Sequence, residues 1–589
     1  MSPGPSGPDT APDTRVPHPG RGPSPVDPGT ATGGDVHGTD ASPPWRPSRV
    51  SMTARRTDTV VPGRGRVALP AVAAGVGLAL SLPPWGFWIL AFPAAGLLWW
   101  RLAGLRPRTR LWAGWLAGLG CYVPGLMFAR AFTLAGAAVL IAVEALFVGV
   151  ACLAVPRAPV VARALAFPAA MTLAEAARQA WPFGGLPIGG VFLGQADGPL
   201  LGVARLGGPL GLTAVVYVGG VGLAALVTAA ARGGRDRLRI RRFDRSGAGP
   251  AVGPGWRGAV AGLATVVAVG VVAAGVVAAA GVVADHAPDG GPSVGTVTAA
   301  AVQGGGVRGF DKSQVDPAVV LGAAVAATDR LAARTAGRPV DLVLWPEDVV
   351  SLDRPLAGTP EEAALSALAV RLGSTLVVGV TETVSRTAFR NEVVAFGPHG
   401  AIVDRYEKVH RVPFGEYVPY RSFFARLADL SAVPLDAVPG TGTGLLRTPA
   451  GPLGAMISYE VFYADRGRDP VRAGAQILIV PTNTSSYASA QVPTQEIAAS
   501  EVQAVQQGRD LLQAAPTGYS AWITHRGTLM ARSVLGARQI VPATLERRVG
   551  LTLYVRWGDD PVLVASVLAL AAGWLLAVRH AGRRGRAST

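Results

Sequence analysis

Residues 341–347 read "DLVLWPE". Leu342, Val343, Leu344 and Trp345 form a short apolar run, closed by Pro346 and the carboxylate of Glu347. A β-rich run of this length, stopped by proline, reads as a strand with an acid at its end. Five more runs share the form: "VGTVTAAAVQ" (294–303), "TLVVGVTE" (375–382), "NEVVAFG" (391–397), "PLGAMISYE" (452–460) and "AQILIVPTN" (475–483). Helical patterns lie between several of them, at 316–336, 359–372 and 492–511. Strands alternating with helices predict an α/β layered domain. At roughly 250 residues, 292–547 is long enough to bury a sizeable core.

Outside this segment the chain changes character. Half of its 589 residues are hydrophobic, 16% are charged, and the mean hydropathy is +0.35. That composition is too apolar for a soluble protein of this length and predicts several membrane spans. Apolar runs lie near 67–83, 85–100, 111–129, 134–154, 160–179, 206–231, 258–284 and 561–578. A span needs about 20 residues. "PPWG" alone separates the first two runs, so they form a tight hairpin or one re-entrant unit. Glu175 and Arg178 interrupt the fifth.

Arginines order these runs. They cluster before the first (Arg64, Arg66), between the second and third (Arg101, Arg106, Arg108, Arg110) and between the fourth and fifth (Arg157, Arg163). Seven more lie between Arg232 and Arg245, and Arg579, Arg583, Arg584 and Arg586 follow the last run. With eight spans, all five clusters fall on one side, which the positive-inside rule makes the cytoplasm. Residues 285–560 then lie outside it. The expected organisation is a disordered Pro/Gly-rich tail (1–60), a membrane domain of about seven spans (61–284), a catalytic domain (285–550), and a final span with a basic tail (551–589).

The net charge is +16, almost wholly from arginine, since only Lys312 and Lys408 are lysines. Arginines beside apolar runs fit a membrane surface and anionic lipid better than nucleic acid. Cys121 and Cys152 both lie in apolar runs. They exclude a disulfide framework and a cysteine zinc site. No cluster of metal ligands is evident, and no metal or dissociable cofactor is expected.

Three strand ends carry the chemistry. Glu347 closes the first. "DRYEKVHRVPFGEYVPY" (404–420) carries Lys408 and, eight residues on, Glu416. "GAMISYEVFYADRG" (454–467) carries Ser458, Tyr459 and Glu460. Taken singly, such residues are most often caps, turn residues or ion pairs. Their joint order is more specific.

The order Glu, Lys, nucleophile resembles the nitrilase superfamily, whose triad is Glu–Lys–Cys. "RYEKVHRVPFGEYVP" (405–419) is similar to the signature of bacterial apolipoprotein N-acyltransferases. "EVQAVQQGRDLLQAAPTGYSAWITHRG" (501–527) resembles that family's closing segment, and "EAARQAWPFGGLPIGGV" (175–191) its membrane-side motif. The resemblance runs from about 67 to 578. It implies an α-β-β-α sandwich outside the cytoplasmic membrane of a bacterium. It also implies acyl transfer from a phospholipid, through a covalent acyl-enzyme, to the amino group of a diacylated apolipoprotein. Glu347 would then be the general base. Lys408 would stabilise the oxyanion, where arginine's broad fork is a poor substitute. Glu416, Tyr459 and Glu460 would support the site.

Two departures stand out. Ser458 occupies the nucleophilic cysteine's place, and no cysteine follows Cys152. An alkoxide is far harder to form than a thiolate. His410, two residues from Lys408, reads as a surface loop histidine. In "IVPTNTSSYASAQ" (479–491), Thr484, Ser485 and Ser486 stand where the family carries a bulky aromatic, and Tyr487 is the nearest ring. Three readings remain: a serine acyltransferase, an accessory lipid- or lipoprotein-binding homologue without turnover, and an amidase or esterase.

Overall fold

The computed structural model describes residues 64–131, 133–244, 255–309, 315–331, 340–426 and 429–586. The tail expected at 1–60, Lys312 and the end of the 316–336 helical pattern lie outside them.

Helices cover all eight apolar runs: α1 (Arg64–Ser81), α2 (Ala91–Arg101), α3 (Pro107–Gly125), α4 (Leu134–Ala154), α5 (Val160–Ala180), α6 (Ala204–Asp244), α7 (Gly255–His286) and a C-terminal helix, Asp560–Arg586. Among the described residues, five stretches are long and apolar enough to cross a membrane: Leu134–Ala154, Val160–Ala180, Leu201–Gly233, Ala259–His286 and Asp560–Arg586. The run at 85–100 is shorter than its apolar pattern suggests, because a 3-10 turn (Trp88–Leu90) takes up its start and leaves α2 only 11 residues. The run interrupted by Glu175 and Arg178 is one unbroken helix. Arg178 donates to both Glu175 and Glu144, so the charges are compensated inside the bundle.

Two sheets make the α/β domain. The first holds β1 (Ser293–Gln303), β2 (Leu342–Leu344), β3 (Val350–Leu352), β4 (Thr375–Thr383), β5 (Ala388–Phe396), β6 (Ile402–Glu407) and β7 (Asp436–Ala437). The second runs through β8 (Leu445–Thr448), β9 (Gly451–Ala455), β10 (Ile477–Pro481), β11 (Leu511–Ala514), β12 (Ala521–Ile523) and β13 (Leu529–Arg532). The last strand, β14 (Gln539–Arg548), returns to pair antiparallel with β1. The first sheet is ordered β14-β1-β2-β4-β5-β6 and the second β13-β12-β11-β10-β9-β8.

The sheets pack face to face. Leu342 and Leu344 point into the layer between them, with Val377, Ile477 and Ile479. Val343 and Trp345 point the other way, into a layer with Leu365 and Leu368 of the helix Pro360–Leu372. Side chains alternate along a strand, so one continuous apolar run serves both faces. The expected α-β-β-α layering follows.

The second sheet's outer layer is different in kind. The helix Gln491–Gln507 is buried almost throughout, because Ile497, Ala498 and Val502 share one core with the second sheet and the membrane helices. Its end corrects the pattern at 492–511. Gly508 (φ +64°) stops the helix, and the last residue of that pattern, Leu511, starts β11. Several glutamines of this helix bind backbone carbonyls. Gln491 donates to Pro124 O and Gly125 O at the end of α3, and Gln503 donates to Val461 O and Tyr463 O.

Candidate active site

Glu347 leaves the end of β2 on a backbone held by its neighbour strand. Trp345 N donates to Val377 O at 2.8 Å and Gly379 N to Pro346 O at 3.1 Å. A Cβ on Gly379 would lie 2.3 Å from Pro346 O and 2.5 Å from Glu347 Cα, so only glycine permits this approach. Asp348 then turns left-handed (φ +60°), and its carboxylate accepts the Thr381 hydroxyl at 2.6 Å.

Lys408 follows β6 and is 1% exposed. Its Nζ donates to Glu347 Oε1 at 2.9 Å and to Glu416 Oε1 at 2.6 Å. Burial works against the ammonium, but Glu347 and Glu416 outweigh it and hold the lysine above its usual range. Asn391 joins both acids, donating Nδ2 to Glu347 Oε1 at 2.9 Å and Glu416 Oε1 at 3.0 Å. Glu416 Oε2 accepts Val412 N at 2.8 Å. Two carboxylates, one ammonium and one amide thus form one connected network, buried except at Glu416. Asn391 is missing from the sequence reading, although a polar amide among the β-branched residues of a strand was a usable signal.

Ser458 sits two residues beyond the last β9 pairing, where Met456 N donates to Ile479 O. Its φ is +50°, a left-handed conformation that costs a non-glycine residue about 1–3 kcal/mol. A short 3-10 turn, Ser458–Phe462, begins there. Glu460, fully buried, fixes this turn. Its Oε2 accepts Ile457 N at 2.8 Å, while Oε1 accepts Val409 N at 2.8 Å and His410 N at 3.0 Å. The Tyr406 hydroxyl donates to both oxygens. One carboxylate therefore joins the residue before Ser458 to the residue after Lys408. Burial pushes its pKa up, against these hydrogen bonds.

The Ser458 hydroxyl makes no hydrogen bond among the described residues. His410 is occupied elsewhere: its ring stacks on Tyr463 at 4.0 Å, with Nε2 3.7 Å from Asp465. Tyr487 reaches the electrostatic surroundings of Lys408, Glu347 and Glu416, and packs edge-on against Phe128 of the membrane domain at 5.5 Å. Glu496, on the helix Gln491–Gln507, is a further unforeseen acid of this neighbourhood. It accepts the Thr482 hydroxyl in a short hydrogen bond, and burial, with Glu347 nearby, pushes it up to about 8.

The membrane domain completes the surroundings through residues 181–190. Gly185 O accepts the hydroxyls of Tyr459 at 3.0 Å and Tyr463 at 2.9 Å. Phe183 O accepts the Tyr417 hydroxyl at 3.2 Å, and Gly189 N donates to Gln495. Arg178 holds this loop from within the bundle, donating Nη2 to Ile188 O at 2.7 Å. Among the described residues, no group of three or more His, Cys, Asp or Glu is arranged to hold a metal.

Of the sequence-derived candidates, Glu347, Lys408 and Glu416 meet directly. Glu460 ties Ser458 to them, Tyr459 anchors to the membrane loop, and Tyr487 lies near the network. A two-sheet α/β sandwich bearing this network at its strand ends belongs to the carbon-nitrogen hydrolase class, and residues 298–551 match the family described as "Carbon-nitrogen hydrolase". Residues 74–222 match "Apolipoprotein N-acyltransferase N-terminal domain". The chain is 31% identical to an apolipoprotein N-acyltransferase of Mycolicibacterium smegmatis over 87% of its own length and 85% of the relative's. It is 29% identical to one of Azotobacter vinelandii, covering 87% and 96%. Saccharomyces cerevisiae Nit3, a nitrilase-superfamily structure, is 19% identical with a TM-score of 0.34, covering 43% of this chain and 91% of that one. The chain belongs to the apolipoprotein N-acyltransferase family.

Proposed function

We propose that this protein transfers an acyl chain from a phospholipid to the N-terminal diacylglyceryl-cysteine of apolipoproteins, using Ser458 as nucleophile. In the first step Ser458 Oγ attacks an ester carbonyl of the phospholipid while its proton passes to Glu347. The Lys408 ammonium faces the developing oxyanion. The tetrahedral intermediate collapses, the proton moves from Glu347 to the departing lysophospholipid oxygen, and an acyl-ester remains on Ser458. In the second step the free α-amine attacks that ester and loses a proton to Glu347. Ser458 leaves with this proton, and the amide is formed.

The observation that carries this reading is the Glu460 carboxylate, which binds the Ser458 turn and the Lys408 loop at once. Glu416 and Asn391 hold Lys408 and Glu347 in register. Tyr459, Glu460 and Tyr487 support the pocket. The substrates are amphiphilic, so the site belongs beside a lipid surface. We place residues 285–550 outside the cytoplasmic membrane of a bacterium, after about seven spans in 61–284 and before one in 551–589. The arginine clusters support this arrangement. One observation favours the accessory, non-catalytic reading: the Ser458 hydroxyl has no base bonded to it among the described residues.

Mass spectrometry of a lipoprotein's N-terminal peptide tests the choice. The host lacks other N-acyltransferases and carries the native protein, Ser458→Ala or Glu347→Gln. A third acyl chain with the native protein alone supports turnover through Ser458. A diacylated peptide in every strain, with expression verified, leaves the accessory role.

A further inference from the structure

Arginines in the helical bundle fall into two kinds. Arg178 is fully engaged, with two carboxylates and a carbonyl around its fork. Arg110, near the start of α3, and Arg163, near the start of α5, are not. Both are buried, at 3% and 7% exposure. The Arg110 side chain makes no hydrogen bond or ion pair among the described residues, and its Nε and Nη1 are sealed from solvent without an acceptor. Arg163 donates Nη2 to Trp99 O at 2.5 Å and lies over the Trp99 ring at 4.9 Å, but its Nε has no acceptor. The indole Nε1 of Trp99 is orphaned in the same way. Arg163 and the exposed Arg157 both lie within electrostatic reach of Arg110.

Four buried N–H donors, Arg110 Nε and Nη1, Arg163 Nε and Trp99 Nε1, and two guanidinium charges are therefore met by no carboxylate among the described residues. Unpaired buried charge is strongly unfavourable, and like charges make it worse. An anion with several acceptor oxygens would answer these donors and both charges at once. Arg110 lies in the first turn of α3 and Arg163 in the first turn of α5, where the helix dipole adds positive charge.

We propose that Arg110, Arg163 and Trp99 form a binding site for a phosphoryl anion, supplied by an anionic phospholipid headgroup or by free phosphate. A phosphoryl group offers tetrahedrally spread oxygens to two guanidinium forks and an indole N–H. The site is separate from acyl transfer. Fifteen residues of α3, roughly 22 Å of helix, separate Arg110 from Gly125, whose carbonyl meets the α/β domain. A headgroup here anchors the far end of the bundle.

The test uses the full-length protein in neutral detergent, with phosphatidylglycerol, inorganic phosphate or diacylglycerol added separately. Thermal unfolding and native mass spectrometry are read in each case. Phosphatidylglycerol is expected to raise the unfolding temperature and to be retained as a bound lipid, whereas diacylglycerol does neither. The double variant Arg110→Gln/Arg163→Gln loses both effects, with retention falling at least about tenfold. Arg106→Gln/Arg108→Gln, which alters exposed arginines nearby, keeps them. A shift from inorganic phosphate alone assigns the site to the free anion, and a shift from phosphatidylglycerol alone assigns it to the lipid. Should the double variant not fold, Arg110→Lys keeps the charge, loses the fork and is expected to weaken retention. No shift with either phosphoryl probe, or the same shift in native and substituted proteins, overturns the proposal. Ser458→Ala leaves this binding intact, so the outcome is independent of the acyl-transfer reading.

Discussion

At Ser458 the backbone is committed before any substrate arrives: a left-handed φ in a non-glycine residue persists only when its surroundings impose it. Glu460 is the imposing group, so Glu460→Gln exchanges an acceptor of three backbone N–H groups for one that must turn an amide N–H toward them. We expect a loss of about 2–3 kcal/mol in stability, read by chemical denaturation, and a collapse of acyl transfer. Ser458→Cys is expected to speed acylation, because a thiolate forms more readily than an alkoxide; an unchanged rate in a single-turnover assay would count against a pocket built for a thiol. Glu496 makes a signed prediction. Its folded pKa of about 8 lies above its ordinary 4.5, so the native state holds a proton that the unfolded chain has released between these values. Its stabilising contribution is therefore present below about pH 4.5 and is lost as pH rises toward 8. In Glu496→Gln, stability measured at pH 5, 6.5 and 8 should fall less steeply than in the native protein.

At the scale of elements, the loop 181–190 matters most. It receives Arg178 on its bundle side and presents one carbonyl to two tyrosines, Tyr459 being the residue after Ser458. Gly185 has φ +90°, and a Cβ there would lie 2.1 Å from Gln179 O. Gly185→Ala should displace that carbonyl and lower acyl transfer about tenfold or more, with the helical content of the bundle by circular dichroism unchanged. Removing the same link from the other side, with Tyr459→Phe and Tyr463→Phe together, loses two buried hydrogen bonds worth about 1 kcal/mol each. A combined variant no worse than Gly185→Ala alone would place all three residues in one coupled unit.

For the whole molecule, the helix Gln491–Gln507 is the hinge between two solvents. One side packs on the second sheet and the other on the membrane bundle. Expressed alone, residues 285–550 would expose that side. Such an apolar face predicts aggregation in size-exclusion chromatography without detergent, unlike a self-sufficient hydrolase domain.

Local pattern alone sufficed for much of this protein. Strand-like runs such as "DLVLWPE" and the membrane helices were legible because their periodicity and length are properties of contiguous residues. Glu347, Lys408 and Glu416 were legible because each closes or follows such a strand in a family order. Tertiary structure decided what contiguous residues cannot. Asn391 and Glu496 enter the site by strand pairing and helix docking, and Arg178 becomes a brace only where α4 supplies Glu144. The end of the helix at Gly508, rather than at 511, followed from where β11 had to pair with β10. Whether a buried charge is satisfied depends on which distant acceptor packs against it. The same residue type is therefore a completed ion pair at Arg178 and an unanswered donor at Arg110.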